Sequence, residues 1–406
     1  MRPRASTGII FVAVFLDLLG FGMVLPLMPL YATDPRFAAT PAQIGWLMAS
    51  YSIMQFICAP YWGWLSDRIG RRPTLLMGLI GSTLSYVIYG LANTLWVLFA
   101  ARTAAGVMGA NIAVAQAAMA DLSTPKERSK AMGLIGAAFG LGFILGPAFG
   151  GWLAGYGIET APLVAALITG LNAGAAFFYL PETRPKTDFT LRTSLAHPLL
   201  STTPLKILHH SPGGWIVCLL MGGFITLFSA FEVTLPLWGQ DLLHWNMTTT
   251  GWVFTFVGVV AVITQGGVVR RLVPKIGEKK SAMIGLLLVI LGLMILQPGT
   301  WLLVLTALGL IALGSGLIHP SFSSLASLNT DPALQGVMMG LFQSMSALGR
   351  SVGPILGGSA YDFIQGSVFT FTAIGIIGVL LLFVMVRSQM LDAHSLPEPI
   401  PSPNVP

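Results

Sequence analysis

The sequence predicts an all-α membrane protein with twelve transmembrane helices in two pseudo-symmetric bundles of six. Three observations support this prediction: the scarcity of charged residues, the recurrence of apolar stretches and an internal repeat. Of the 406 residues, 54% are hydrophobic and only 9% are charged, whereas about a quarter of a soluble domain is charged. A helix that crosses a bilayer needs roughly 20 apolar residues, and such stretches recur along nearly the whole chain.

The apolar stretches fall into two sets of six, separated by a polar, proline-containing segment. The first six spans are predicted at 8–31, 43–65, 74–93, 95–121, 131–154 and 160–180. The second six are predicted at 213–238, 249–271, 281–298, 300–326, 335–360 and 366–387. The resulting organisation is an N-terminal bundle at 1–181, a connecting loop at 182–211, a C-terminal bundle at 212–390 and a tail at 391–406.

Positive charge is distributed asymmetrically if successive spans alternate between the two sides. Apart from Arg36 in an opposite loop and Arg102 and Arg350 within spans, all of the 21 Lys and Arg residues lie on one side. Because cytoplasmic loops are enriched in Lys and Arg, both termini are predicted in the cytoplasm and the protein in the cell inner membrane. The net charge of +6 therefore reflects topology, and no nucleic-acid partner is expected.

The two sets of spans are copies of each other. A shift of 207 residues places Pro29 on Pro236 and the string 142–151 on the string 349–358. Both strings have the pattern G-x-x-x-G-P-x-x-G-G, which is hard to obtain by chance at one constant offset. Two similar bundles that face each other form a central cavity, and rocking them exposes it to each side in turn. The repeat therefore favours a transporter over an enzyme or a receptor.

Four motifs resemble those of a known family. The segment 63–73, GWLSDRIGRRP, resembles the loop signature that the major facilitator superfamily carries between helices two and three. The segments 17–26 and 102–106 resemble the first-helix and fourth-helix motifs of its drug:proton antiporters, and the string 142–151 resembles their helix-five motif. Within the superfamily the chain is most similar to the tetracycline-efflux-like branch. This resemblance implies a twelve-helix transporter.

The loop signature predicts a cytoplasmic gate. Its candidate residues are Gly63, Asp67, Arg68, Gly70, Arg71, Arg72 and Asp121. Gly63 would let a neighbouring helix approach closely, Asp67 suits a helix N-terminus or a basic neighbour, and Asp121 is a candidate partner for the arginines. The resemblance implies that this cluster stabilises the outward-open state, and the alternative that the arginines only set topology stays open. In the second half, Pro274 stands in the place of Asp67.

The helix-five motif predicts a close helix contact. Its residues are Gly142, Gly146, Pro147, Gly150 and Gly151. Small residues four apart lie on one helix face and allow close packing in membranes, while proline removes a backbone hydrogen bond and bends the helix. A packing seam and a direct role in gating are both compatible with this pattern, and the resemblance favours the antiporter interpretation.

Ionisable residues inside predicted spans are candidates for proton coupling or substrate binding. They are Asp17, Arg102, Glu232, Arg350 and His319. A charge at the bilayer centre costs about 2.5–3.5 kcal/mol even on the lenient insertion scale, so such residues indicate function. A desolvated carboxyl group holds its proton more tightly, which makes Asp17 the first choice for the proton site and Glu232 the second. The alternatives are a structural ion pair or a helix cap for Asp17, a structural ion pair for Arg102, a water-facing Glu232 and a structural His319.

A sparse set of polar residues could line the cavity. They are Tyr51, Gln55, Asn111, Gln116, Gln265 and Gln343. Surrounded by Phe, Met and Leu, they predict a site for an amphipathic or lipophilic solute rather than a sugar, which needs many hydrogen bonds. The tetracycline exporters carry an acid in helix nine, and residues 281–297 contain none, so tetracycline itself is not the expected substrate.

The leading hypothesis is therefore a monomeric, proton-driven exporter whose partners are a small molecule, protons and the lipid bilayer. A proton-coupled symporter or facilitator for a metabolite is the alternative within transport, and a receptor or scaffold on a transporter fold is the alternative from another class. The sequence has no phosphate-binding loop, nucleophile elbow or metal-ligand spacing, so no enzymatic activity, cofactor or metal is expected.

Overall fold

The computed structural model describes residues 3–109, 111–122, 128–183, 211–330, 335–364 and 367–390. In these ranges the secondary structure is helical, with no β-strand. The predicted connecting loop beyond residue 183 and the predicted tail at 391–406 lie outside the described residues, as does the side chain of Asn111.

The N-terminal bundle contains six long helices, of which the first is interrupted by a 3-10 turn. Helix α1 (Pro3–Val24) continues through a 3-10 turn (Leu25–Leu27) into a short helix (Met28–Ala32), and α4 consists of Leu95–Gly109 and Asn111–Asp121. The others are α2 (Pro41–Ile69), α3 (Arg71–Gly90), α5 (Arg128–Ala154) and α6 (Thr160–Tyr179).

The C-terminal bundle repeats this arrangement. Helix α8 starts as Met247–Ile263, passes through a π-helical segment (Thr264–Val269) and ends as Arg270–Ile276. The other five are α7 (Pro212–Leu243), α9 (Glu278–Ile295), α10 (Trp301–Leu328), α11 (Gln335–Ile364) and α12 (Val368–Val386).

The twelve-helix fold class predicted from the sequence is confirmed. Within the described residues, nine of the helices are long and apolar enough to cross a membrane. The other three, α2, α9 and α11, have more polar sequences: α9 begins with Glu-Lys-Lys, and α11 contains Arg350. The predicted start of α9 at 281 was three residues late, because the helix begins at Glu278.

Local sequence signals explain several helix starts. Thr40 and Gln43 form a capping box at the start of α2, and the side chains of Asn246 and Thr300 cap α8 and α10. Such side chains satisfy backbone N–H groups that have no partner within the helix. Glycine is required before α3 and α9, because Gly70 and Gly277 have φ angles of 104° and 82°, a region that other residues rarely adopt.

The glycine strings form one packing seam inside each bundle. Gly142, Gly146 and Gly150 of α5 lie against residues 18–23 of α1, so close that an added Cβ atom would collide with that backbone. The repeat-related glycines of α11 at 349, 353 and 357 lie in the same way against residues 222–230 of α7. Small residues allow this close backbone approach, so the seam expected from the pattern is present twice.

The two bundles meet at one end, which we call the closed end and define by Thr33, Gly45, Gln240 and Gly251. Gly45 lies against the Pro354 carbonyl group of α11, and Gly251 lies against the Pro147 carbonyl group of α5, so these two contacts are repeats of each other. On the axis between them, the hydroxyl group of Thr33 donates to the side-chain oxygen of Gln240 at 3.2 Å. These two residues are themselves 207 positions apart.

The other end, which carries the α2–α3 and α8–α9 loops and which we call the basic end, is open as far as the described residues extend. Among these residues, an added Cβ atom at Gly63, Gly136, Gly266 or Gly340 would meet no atom within 4 Å. The expectation that Gly63 brings a neighbouring helix close is therefore wrong for this conformation. The physical reason is that the bundles touch at the closed end and diverge toward the basic end.

Candidate functional site

Arg102 of α4 is buried in the N-terminal bundle against the ring of Tyr51. Its guanidinium carbon lies 4.6 Å from the ring centroid, and the residue is only 2% exposed. Gly106 and Gly109 leave the room for this contact, since an added Cβ atom at either position would collide with Tyr51. Among the described residues, the Nε and Nη2 atoms of Arg102 have no hydrogen-bond partner. The arginine is thus held mainly by a cation–π contact.

Tyr51 lies close to several of the residues that the sequence predicted for the site. It interacts electrostatically with Arg102, Asp17 and Arg350, the last of which belongs to the other bundle. The amide of Gln55 donates to the Gly109 carbonyl at 3.1 Å and to the Tyr51 hydroxyl at 3.4 Å. Tyr51 therefore lies where the two bundles face each other, within electrostatic range of both arginines.

Asp17 of α1 lies in a cleft of the N-terminal bundle. The cleft is lined by apolar side chains of α1, α3 and α4, namely Ile10, Val14, Leu75, Leu79, Ile112 and Ala115, and by Ala13 and Leu180. Asp17 also interacts electrostatically with Tyr86 of α3 and with Tyr51. The carboxyl group thus lies among apolar side chains and tyrosines at membrane depth, where a charge is costly.

Glu232, Arg350 and His319 come together in the C-terminal bundle. Arg350 of α11 interacts electrostatically with Glu232 of α7 and with His319 of α10. The imidazole ring of His319 also packs edge-on against Phe342, with the ring centroids 5.6 Å apart. Three helices therefore direct titratable or charged side chains toward one region, although 118 residues separate Glu232 from Arg350 in the chain.

Aromatic rings form a wall on the N-terminal side of this region. The ring of Phe21 lies 5.1 Å from that of Tyr51 and 6.1 Å from that of Phe143. Phe143 is the repeat counterpart of Arg350. One half thus contributes an aromatic ring at the position where the other contributes a cation.

The remaining cavity candidates are exposed along the helices. Gln116, Gln265 and Gln343 all have exposed side chains. An amide group facing lipid would lack hydrogen-bond partners, which is costly, so these side chains indicate the hydrated face of their helices.

The loop signature forms a polar cluster at the basic end. The guanidinium group of Arg71 binds Asp67 and Asp121 at 3.0 Å each and donates to the Ser66 hydroxyl at 2.6 Å. Arg72 donates to the Phe177 carbonyl at 2.5 Å. In the described structure all these partners belong to the N-terminal bundle, so the arginines do not bridge the two bundles in this conformation. Arg68 packs over the ring of Trp64 at 4.5 Å.

Sequence reasoning missed Glu182 and Glu278. The carboxylate of Glu182 accepts from the backbone N–H groups of Arg71 and Arg72, at 2.9 and 3.2 Å, at the start of α3, where an anion is stabilised. Glu278 is buried at the start of α9 and accepts from Ser324 at 3.1 Å. The repeat offered a signal for Glu278, because it occupies the position of Arg71 shifted by 207.

The amino-acid sequence matches one known family over nearly the whole chain. The description Major Facilitator Superfamily matches residues 10–279 and 243–405. The chain belongs to the major facilitator superfamily. Its predicted membership is therefore confirmed, and with it the general assignment as a multi-pass membrane transporter of small molecules.

Individual members of the superfamily resemble the chain along most of its length. The class C tetracycline resistance protein of Escherichia coli is 31% identical over 89% of this chain and 91% of its own. Major facilitator superfamily domain-containing protein 10 of Homo sapiens is 30% identical over 91% of this chain and 90% of its own. The crystal structure of the human organic anion transporter MFSD10 has a TM-score of 0.69 and 26% identity, covering 94% of this chain and 100% of that one.

Proposed function

We propose that this protein exports a small hydrophobic or amphipathic compound in exchange for protons, by alternating access. In this proposal the protein acts as a monomer in the inner membrane, with both termini in the cytoplasm, and Asp17 carries the proton. The observation that supports it most directly is the position of Asp17, a carboxyl group in an apolar cleft that interacts with Tyr51. Protonation of this group would change the charge near Tyr51, which interacts with Arg350 of the other bundle.

The coupling route of the proposal runs from Asp17 through Tyr51 to the two arginines. Tyr51 interacts electrostatically with Asp17, Arg102 and Arg350. A proton on Asp17 removes one negative charge from the vicinity of Tyr51, so the electric field at the Tyr51 hydroxyl group, which lies near both arginines, changes. Because Arg350 lies in the other bundle, this change can bias one bundle against the other, as coupling in alternating access requires.

The conformation is consistent with loading from the cytoplasm. The bundles touch at the closed end and leave open space at the basic end. If the basic end faces the cytoplasm, as the positive-inside rule predicts, this is the state that an exporter presents to its substrate.

The tetracycline resistance proteins among the relatives support efflux, and the relatives together leave the substrate open. Tetracycline resistance proteins and a human organic anion transporter are similar to this chain to nearly the same degree. An aromatic wall facing a charged group fits amphipathic compounds as a class better than a sugar. Tetracycline exporters carry an acid in helix nine, and α9 of this chain does contain one acid, Glu278. This residue lies in the first turn of the helix and accepts a hydrogen bond from Ser324.

The test uses energised inverted membrane vesicles that contain the protein, with a dye that reports internal acidity. A panel of lipophilic cations, antibiotics and neutral metabolites is added to the parent, to Asp17→Asn and to Asp17→Glu. We expect at least one compound to release protons from parent vesicles, and we expect Asp17→Asn to lose this release. Asp17→Glu should retain part of it, because it keeps the carboxyl group.

Asp34→Asn is the matched control, since Asp34 pairs with Arg36 in the exposed α1–α2 connection. It removes one carboxylate outside the cleft and should leave proton release unchanged. If Asp17→Asn releases protons as the parent does, Asp17 is not the proton site. If radiolabelled solute enters without any proton movement, the protein is a facilitator, and if protons enter together with the solute, it is a symporter.

A further inference from the structure

Glu232 lies on a face of α7 that is not used for packing against the neighbouring helices. Thr226 packs against Gly353 of α11, and Phe231 packs against Phe369 of α12 with ring centroids 5.6 Å apart. Because successive residues of an α-helix are about 100° apart, Glu232 points away from both contacts. Its side chain is exposed in the middle of a helix whose other faces are covered.

Arg350 identifies the space that Glu232 faces. The two side chains attract each other electrostatically, but they form no ion pair within 4.0 Å, and in the described structure neither side chain makes a hydrogen bond. A carboxylate and a guanidinium group at membrane depth are each costly to leave without partners. A ligand that carries both charges could satisfy both groups at once.

The N-terminal bundle presents aromatic side chains to the pair formed by Glu232 and Arg350. Tyr51 interacts electrostatically with Arg350; the ring of Phe21 packs against Tyr51, and the ring of Phe143 packs against Phe21. His319 is the only further titratable side chain that the structure shows interacting with Arg350 from α10. The region thus presents one anion, one cation and an aromatic wall.

We propose that Glu232 and Arg350 bind the charged end of an amphipathic zwitterion. The ammonium group of the ligand donates to the Glu232 carboxylate, and its carboxylate accepts from the planar guanidinium group of Arg350, which suits carboxylates geometrically. The apolar body of the ligand packs against Phe21, Tyr51 and Phe143. The statement that this ligand is the exported compound rests on the proposed function, whereas the binding site itself does not.

The test compares three probes that share one fluorescent apolar body. Nε-dansyl-lysine is a zwitterion, its methyl ester is a cation and its Nα-acetyl derivative is an anion. Binding to the full chain in lipid nanodiscs is followed by dansyl fluorescence near neutral pH. Hydrogen bonds to charged groups contribute enough for about a tenfold or larger change in affinity, so the zwitterion should bind at least about tenfold more tightly than either derivative.

Single substitutions should remove this preference in a crossed pattern. Glu232→Gln should abolish the preference for the zwitterion over the anion and keep its preference over the cation. Arg350→Gln should abolish the preference for the zwitterion over the cation and keep its preference over the anion. Arg36→Gln and Glu159→Gln remove one charge of each sign from an exposed pair at the closed end and should change none of the three affinities.

The proposal is overturned if the parent binds the three probes equally, if it prefers the anion or the cation, or if both cavity variants weaken all three probes alike. The first two results need only the parent protein, so they stand even where a variant fails to fold. Selective zwitterion binding without proton release from vesicles would refute the proposed function and keep this site. Proton release by other compounds without zwitterion preference would refute this site and keep the proposed function.

Discussion

The loop between α2 and α3 and the loop between α8 and α9 occupy equivalent places in the two halves, but the residue that follows each loop has the opposite charge in the two halves. Both end in a glycine with positive φ, Gly70 and Gly277, and a helix starts at the next residue. That next residue is Arg71 in the first half and Glu278 in the second. The backbone of the repeat is therefore retained, while its side-chain chemistry differs.

The two loops use their charge in different ways. Arg71 joins α2, α3 and the end of α4 through partly exposed ion pairs with Asp67 and Asp121. Glu278 is buried and bonded to Ser324 of α10. A partly exposed network can break and reform when helices move, whereas a buried carboxylate is costly to separate from its partner. We infer that the first-half loop changes its contacts during transport and that the second-half loop fixes α9 to α10.

The largest expected effect on transport comes from substitutions at the closed end, where the two halves make equivalent contacts. Gly45→Val and Gly251→Val should each destabilise the closed-end contact, because the added side chain would collide with the Pro354 or Pro147 carbonyl group. Overpacking costs about 1–3 kcal/mol, which corresponds to about a 5- to 150-fold shift between conformations. Transport in vesicles should fall, and a cysteine introduced at Thr33 should react faster with a polar thiol reagent.

Gly174→Val and Gly378→Val are the controls, since an added Cβ atom at either position meets no atom of the described residues within 4 Å. Both should transport like the parent. If only one of Gly45→Val and Gly251→Val is impaired, the two closed-end contacts are not functionally equivalent.

A smaller effect should distinguish the two loops. Arg71→Gln should lower the initial transport rate about tenfold, because it removes charge-assisted bonds to Asp67 and Asp121. Glu278→Gln should change the rate less than about threefold, since an amide oxygen can still accept from Ser324. Rates are measured at matched amounts of protein in vesicles. Equal losses in the two variants would contradict the specialisation of the first-half loop.

The smallest effect concerns Glu182 at the start of α3. Glu182→Gln should lower the free energy of unfolding by about 0.3–1 kcal/mol, the range for a negative charge near a helix N-terminus. Thermal unfolding in detergent at low and high salt measures this loss, which should shrink as salt screens the charge. A loss that does not respond to salt would mean that Glu182 stabilises α3 by packing rather than by charge.

Much of the architecture follows from the sequence alone. The twelve helices, the repeat at an offset of 207 and family membership were predicted from hydropathy, spacing and motifs. The glycines at 142, 146 and 150 were expected to form a seam, because residues four apart share a helix face. The ionisable residues of the candidate site were found because charges are rare and costly within membrane spans. Their roles remain predictions.

Only the tertiary structure decided which partners these residues meet. Helical periodicity assigns a residue to a face but does not say which helix covers that face, so the sequence could not show that Gly63 faces open space or that Glu182 caps α3. The proximity of Glu232 and Arg350, 118 residues apart, depends on how α7 and α11 pack through their glycines. The end at which the bundles touch depends on contacts between the halves, and a sequence shared by two conformations cannot select between them.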